Sequence, residues 1–168
     1  MAVKDTDAGT YRDTVGALRE AFLEHYLPLL RLATLLSQEP HTAEDLVQES
    51  FVRADPRLPA LSRDEVRPYL RRTVVNVWKN SRRRASLFGK GQWLLDEPGM
   101  DADPADTELV RRLLLGLAPR QRACLGLRYY EDLTGPQIAE VLGCSEGTVK
   151  SQTSKALTRL RKEIDHER

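Results

Sequence analysis

Two cysteines, Cys124 and Cys144, are all the thiols this chain has, and they form no CxxC or other metal-ligand spacing. That removes a disulfide scaffold and a zinc site as organising devices and points to reduced thiols in a cytoplasmic protein, structural rather than redox-sensitive. Histidines are as sparse: His25, His41 and His166 lie far apart. Together with the lack of an HExxH pair, a phosphate-cradling glycine loop and a nucleophile elbow, this argues against an enzyme and calls for neither a cofactor nor a metal. Aromatic residues make up only 6% of the chain. No apolar run approaches the roughly 18–20 residues that cross a bilayer, and the opening MAVKDTDAGTYRD has no apolar signal-peptide core. Membrane insertion is therefore not expected.

What is present is charge, and it is segregated. The formal net charge is only +1 among 168 residues. Yet from Val66 to Leu95 there are eight Lys/Arg and no Asp/Glu, after which Asp96–Glu108 (DEPGMDADPADTE) is acidic with no base. Electrostatic fields act over roughly 8–10 Å at physiological salt, so a neutral total can hide a cationic surface.

The hydrophobic pattern predicts an all-α protein of two small helical domains joined by an acidic linker, with boundaries at 14–87, 88–107 and 108–166. From Ala17 to Leu36 apolar residues recur at three and four, with Pro28 marking either a kink or a break into two helices. Thr42 reads as the N-cap of a second helix, with Glu44 and Asp45 in its first turn. The loop Asp55–Asp64 (DPRLPALSRD) breaks that helix. Ser62-Arg63-Asp64-Glu65 has the form of a capping box, and Pro68 is expected in the first turn of the helix that follows. Beyond the linker, Glu108–Leu117, Pro119–Tyr130, Pro136–Leu142 and Ser145–Ile164 all carry a helical period.

The stretch VRPYLRRTVVNVWKNSRRR, Val66–Arg84, holds seven bases and no acid among Leu, Val and Trp. At about 100° per residue, Val74, Val77 and Ser81 fall near Leu70, with Trp78 at the border of that buried face and suited to packing. Arg72, Asn76, Lys79 and Arg83 fall on the opposite side. A solvated face usually interleaves acids for i,i+4 pairing. Here there are none, which favours a polyanion, and Asn76 adds a group able to hydrogen-bond bases.

Leu133–Lys162 reads as a helix-turn-helix. Pro136 suits a first turn, Ile138, Val141 and Leu142 supply an apolar face, small Ala139 allows a crossing, and Gly143 takes the turn. Ser145 is the expected cap of the second helix, with Val149, Thr153, Ala156 and Leu160 inward. Thr148, Lys150, Ser151, Gln152, Ser154, Lys155 and Arg159 face out. Such a helix enters the major groove by its N-terminal part, so Lys150, Gln152 and Lys155 are the foremost base or phosphate contacts and Arg159 a backbone contact. Glu146, near the helix N-terminus, reads as capping chemistry.

AEDLVQESFVRA (Ala43–Ala54), PYLRRTVVNVWKNSRRR (Pro68–Arg84) and LAPRQRACLGLRYYEDLTGPQIAEVLGCSEGTVKS (Leu117–Ser151) together resemble a bacterial RNA polymerase sigma factor of the extracytoplasmic-function group, which keeps only domains two and four. The last block alone also fits an autonomous regulator of the LuxR type; the two upstream blocks distinguish the readings. The resemblance implies a transcription initiation factor that binds core RNA polymerase. Asp45, Gln48, Glu49 and Arg53 would meet the clamp helices of its largest subunit, and the C-terminal domain would meet the flap of the second-largest. On promoter DNA, the Val66–Arg84 helix would recognise and melt the −10 element. Asn76, Lys79 and Asn80 match the family's DNA-facing positions there, joined by Arg72 and Arg83. The helix-turn-helix would read the −35 duplex. An anti-sigma factor is a further implied partner. Three departures stand out: the Asp55–Asp64 loop lacks an aromatic, Thr153 replaces a larger aliphatic residue, and Gln152 replaces a frequent arginine.

Overall fold

The computed structural model describes residues 5–87, 110 and 112–166, and these are helical with no strand among them. The acidic segment Asp96–Glu108 lies outside the described residues. The chain divides into two compact units, residues 1–33 with 41–91, and residues 34–40 with 92–168.

In the first unit, α1 (Asp5–Ser37) runs uninterrupted through Pro28, so neither a break nor two helices is found. It ends where Gln38 takes a left-handed φ of 63° and its N–H bonds the Thr34 carbonyl at 2.7 Å. Pro40 then opens α2 (Pro40–Ala54). This corrects the reading of Thr42 as N-cap: proline's fixed φ suits the first helical position, so Thr42 falls inside the first turn and Glu44 and Asp45 follow it. A 3-10 turn, Asp55–Ala60, comes next and is pinned by Leu58, which is buried. Helix α3 (Arg63–Leu87) starts at the expected capping box: Glu65 Oε2 accepts from the Ser62 N–H at 2.9 Å and from its hydroxyl at 2.7 Å. Because the box fixes the start at Arg63, Pro68 lies beyond the first turn, contrary to expectation. The proline forgoes one backbone bond and the helix continues through it.

The core of this unit is made of inward faces at helical spacing. Ala21, Leu29 and Leu32 of α1, Leu46, Val47 and Phe51 of α2, and Leu70, Val74, Val75, Val77 and Trp78 of α3 are all buried. Phe51 stacks obliquely on Phe22 with ring centroids 5.2 Å apart, which ties α2 to α1.

The second unit contains α4 (Pro119–Leu125), continued by a π-helical turn at Gly126–Tyr130, then α5 (Gly135–Leu142) and α6 (Glu146–His166). Residues 112–115 are also helical. Pro119 opens α4, and the Gln121 side chain accepts from the Ala118 N–H at 3.0 Å. Leu117, Leu125 and Ala156 form a buried cluster with Leu114 and Leu160 packed on it. Buried Arg122 spends its donors on backbone: Nη1 to Leu117 at 3.1 Å, Nε to Leu35 at 2.8 Å and Nη2 to Leu36 at 3.0 Å. A buried guanidinium is tolerable only when its fork is satisfied in this way.

Candidate nucleic-acid interface

Two helices carry the residues expected to meet nucleic acid. On α3 the buried side is Leu70, Val74, Val75, Val77 and Trp78, none more than 5% exposed. Arg72, Asn76, Asn80 and Arg83 are exposed and Lys79 is half-buried. These five stand at i, i+4, i+7, i+8 and i+11, the spacing of one helical face. Trp78 packs inward as expected, and the Arg82 guanidinium carbon sits 5.5 Å from its ring centroid, a cation–π contact that covers the indole edge. The helix has its only two acids, Asp64 and Glu65, in the first turn. Both favour the positive end of the helix dipole, and Glu65 is held below the usual carboxylate range by its hydrogen bonds to Ser62. The rest of the face is purely cationic and amide in character.

On α6 the motif's local geometry is complete. Thr134 and Gln137 cap α5, with Gln137 Oε1 accepting from the Thr134 N–H and hydroxyl at 2.9 Å each. Gly143 takes φ 65°, ψ 49°, and the Cys144 N–H reaches back to the Ala139 carbonyl at 3.0 Å, closing a left-handed helix end that a Cβ would strain. Ser145 caps α6 by accepting from the Thr148 N–H at 3.2 Å, and its hydroxyl also bonds that of Thr148 at 2.9 Å. Thr148 is therefore half-buried and engaged in the cap, which leaves its hydroxyl less available than those of its neighbours. Lys150, Ser151, Ser154, Lys155 and Arg159 are exposed, and Gln152 is half-buried.

Inward from that face, Val149 and Ala156 are buried, while Thr153 and Leu160 are only partly so. Thr153 Oγ1 is buried and has no hydrogen-bond partner. A groove of about 680 Å³ opens beside it, bordered by Arg128, Tyr129, Lys150, Leu157 and Arg161. The small side chain at 153 leaves that space, and the exposed Arg128 and Tyr129 enter the surface only through the π-helical turn. Nothing in the helix-turn-helix spacing would have found them.

The residues expected to meet polymerase lie on the outside of α2. Asp45, Gln48, Glu49 and Arg53 are all exposed, but they divide into two groups. Glu49 and Arg53 are ion-paired with each other across one turn. Asp45 and Gln48 share a stripe with His41 and with Val52, at i, i+4, i+7 and i+11. Val52 is 74% exposed and was missed because it sits among charges, although an apolar residue on a polar helix face is a legible signal.

A second cavity, about 690 Å³, lies between α1, the 3-10 turn and the start of α3. His25 borders it, 6% exposed, with Nδ1 lacking a partner, and Glu24 and Arg63 pair at 3.4 Å across its rim. Burial holds the His25 imidazole below its ordinary pKa, with Glu24 opposing and Arg67 and Arg63 reinforcing the shift. Arg63 and Val66 project from the side of α3 away from the basic face, so this cavity is separate from it. Burial and nearby Cys144 push the Cys124 thiol up to about 11, which leaves it protonated and unreactive at neutral pH. Among the described residues no helix is long and apolar enough to cross a membrane, and no cluster of three His/Cys/Asp/Glu could hold a metal.

Family models place this geometry. Sigma-70 region 2 matches residues 22–88 and sigma-70 region 4 matches residues 107–160. The chain is 35% identical to the RNA polymerase sigma-E factor of Streptomyces avermitilis over 141 residues, 82% of this chain and 79% of that one. It is 32% identical to the ECF RNA polymerase sigma factor SigL of Mycobacterium tuberculosis over 155 residues, 86% of each chain. In fold it is similar to the sigma factor RpoE of Bartonella quintana, solved with the anti-sigma factor NepR. That match has a TM-score of 0.71 at 23% identity and covers 89% of this chain and 98% of that one. CnrH, solved with the cytosolic domain of CnrY, gives 0.63 at 22% identity, covering 94% and 96%.

Proposed function

The chain belongs to the sigma-70 family of transcription initiation factors, in its extracytoplasmic-function group, and from that premise we propose how it divides the work of starting transcription. Core RNA polymerase binds α2, α3 melts and reads the −10 element, and α6 reads the −35 duplex. Domain two is taken as residues 14–87 and domain four as 108–166. The chain acts in the cytoplasm.

The observation that carries this reading is the outer face of α3. Arg72, Asn76, Asn80 and Arg83 stand exposed on the side opposite a sealed apolar core, and no carboxylate follows Glu65 in the helix. Arg72, Lys79 and Arg83 neutralise phosphates while Asn76 and Asn80 offer amides to bases that have left the stack. Unstacking a base costs a few kcal/mol and needs donors already in position. A rigid helix buried along its other side supplies them at little cost in entropy. On α6, Lys150, Lys155 and Arg159 hold the duplex by its phosphates, and Ser151, Gln152 and Ser154 address base edges or the backbone. Thr148, at the same end, acts mainly by fixing the cap.

Asp45, Gln48 and Val52 form the seam against the clamp helices of the largest subunit, flanked by the Glu49–Arg53 pair. The second unit takes the flap of the second-largest subunit. The anti-sigma partners of RpoE and CnrH extend to this chain as an inhibitor that competes for such polymerase-binding faces.

In vitro transcription with purified core polymerase tests the proposal. Adding this chain should yield transcripts from promoters of its own genome that core alone does not produce. A chain that binds duplex DNA tightly yet directs initiation at no such promoter would instead be an autonomous regulator.

A further inference from the structure

Helix α1 has a second apolar face that the core does not use. Its buried side is Ala21, His25, Leu29 and Leu32, whereas Leu23 and Leu27 lie roughly opposite and are 74% and 63% exposed. One turn before Leu23 stands Arg19 and one turn after Leu27 stands Arg31, both exposed. The result is a stripe Arg-Leu-Leu-Arg at steps of four, about 6 Å apart along the helix. Single exposed leucines are ordinary on a protein surface, but this pair adjoins more apolar surface. Phe22 is 42% exposed, stacks on Tyr26 at 4.5 Å and packs on Phe51, the residue before the exposed Val52 of α2. The apolar strip on α1 thus continues across the aromatic ridge toward the α2 seam.

We propose that Leu23 and Leu27, bracketed by Arg19 and Arg31, form a second docking surface for core RNA polymerase, taking an amphipathic helix that presents two apolar side chains between carboxylates. This rests on the reading that the chain binds core polymerase and extends that contact from α2 to α1. The charge pattern selects the occupant. A second copy of this chain would set Arg19 against Arg31 if the helices ran antiparallel, and each arginine against itself if parallel. Like charges in register oppose such pairing. An acidic-flanked partner helix meets both arginines favourably, and its apolar pair fills the two leucine positions. Continuity with Val52 makes the polymerase the partner, because one rigid helical pair can then be gripped along two helices.

The test is titration of the fluorescently labelled full chain with purified core polymerase at low and high salt. L23Q/L27Q should weaken binding about tenfold or more, the effect expected when central apolar side chains of an interface are truncated. R19E/R31E should weaken it about three- to tenfold at low salt and less at high salt. Thermal midpoints should stay close to that of the parent chain, since all four side chains are exposed; if the leucine variant misfolds, the arginine variant decides. If wild type binds core and both variants bind equally well while V52D does not, α2 alone docks and the proposal fails. If the wild-type chain self-associates and L23Q/L27Q abolishes that without changing core affinity, the strip is a self-association face and the proposal also fails. A wild-type chain that does not bind core at all overturns the underlying reading itself.

Discussion

Helices α3 and α6 are both basic, yet they are built differently. Helix α3 buries five large apolar residues in its middle, from Leu70 to Trp78, and shows its charge on what remains. Helix α6 has only Val149 and Ala156 fully buried along 21 residues, and even the hydroxyl of Thr153 lies buried with no partner. A helix sealed along one side holds its outer groups in fixed positions, which suits the capture of single bases. A helix anchored at two points projects further from its domain, which suits entry into a groove already shaped by the duplex. The same residue types therefore serve different tasks because their supports differ.

The comparison breaks most sharply at the core. L70A should cost about 2–5 kcal/mol of domain stability, the range for emptying a buried leucine site, and a urea titration followed by circular dichroism would show it. Removing outer residues should do something else. R72A/N76A/K79A should leave stability within roughly 0.5 kcal/mol of the parent, as surface changes usually do. It should nevertheless abolish open-complex formation while core binding persists in a pull-down or titration. Loss of core binding with promoter opening retained would reverse the roles of α2 and α3.

For α6 the expected effect is smaller and graded. K150A/K155A should weaken promoter binding and lower the slope of log K against log salt by roughly one for each phosphate that a lysine no longer neutralises. An unchanged slope would mean that these lysines do not meet the backbone. Smaller again is a pH effect confined to the first unit. The folded state disfavours charged His25, so its pKa there lies below the unfolded value of 6.5. Protons then bind the unfolded chain more readily, and stability falls as pH drops through about 6.5 toward the lower folded pKa. The thermal midpoint should decline more steeply below neutrality in wild type than in H25L. Parallel pH profiles would remove His25 as the cause.

The two faces of α3 were legible because a period of 3.6 separates Leu70, Val74 and Val77 from Arg72, Asn76 and Arg83 without reference to anything else in the molecule. The turn of the helix-turn-helix was legible for a similar reason: Gly143 and Ser145 act through bonds to residues a few positions away. Helix starts were less so. Pro40 and Pro68 look alike in sequence, yet one opens α2 and the other sits inside α3, since only the Ser62–Glu65 box decides where α3 begins. The groove beside Thr153 and the cavity beside His25 were not legible at all. Each depends on elements distant in sequence, and an unsatisfied buried atom is a property of the packed domain.

The division of labour between the two basic helices is tested most directly by permanganate footprinting of promoter thymines with core polymerase and this chain. Wild type should make thymines of the −10 element reactive. R72A/N76A/K79A should occupy the promoter while those thymines stay protected, and K150A/K155A should lose occupancy. Normal reactivity with the α3 variant would contradict the account.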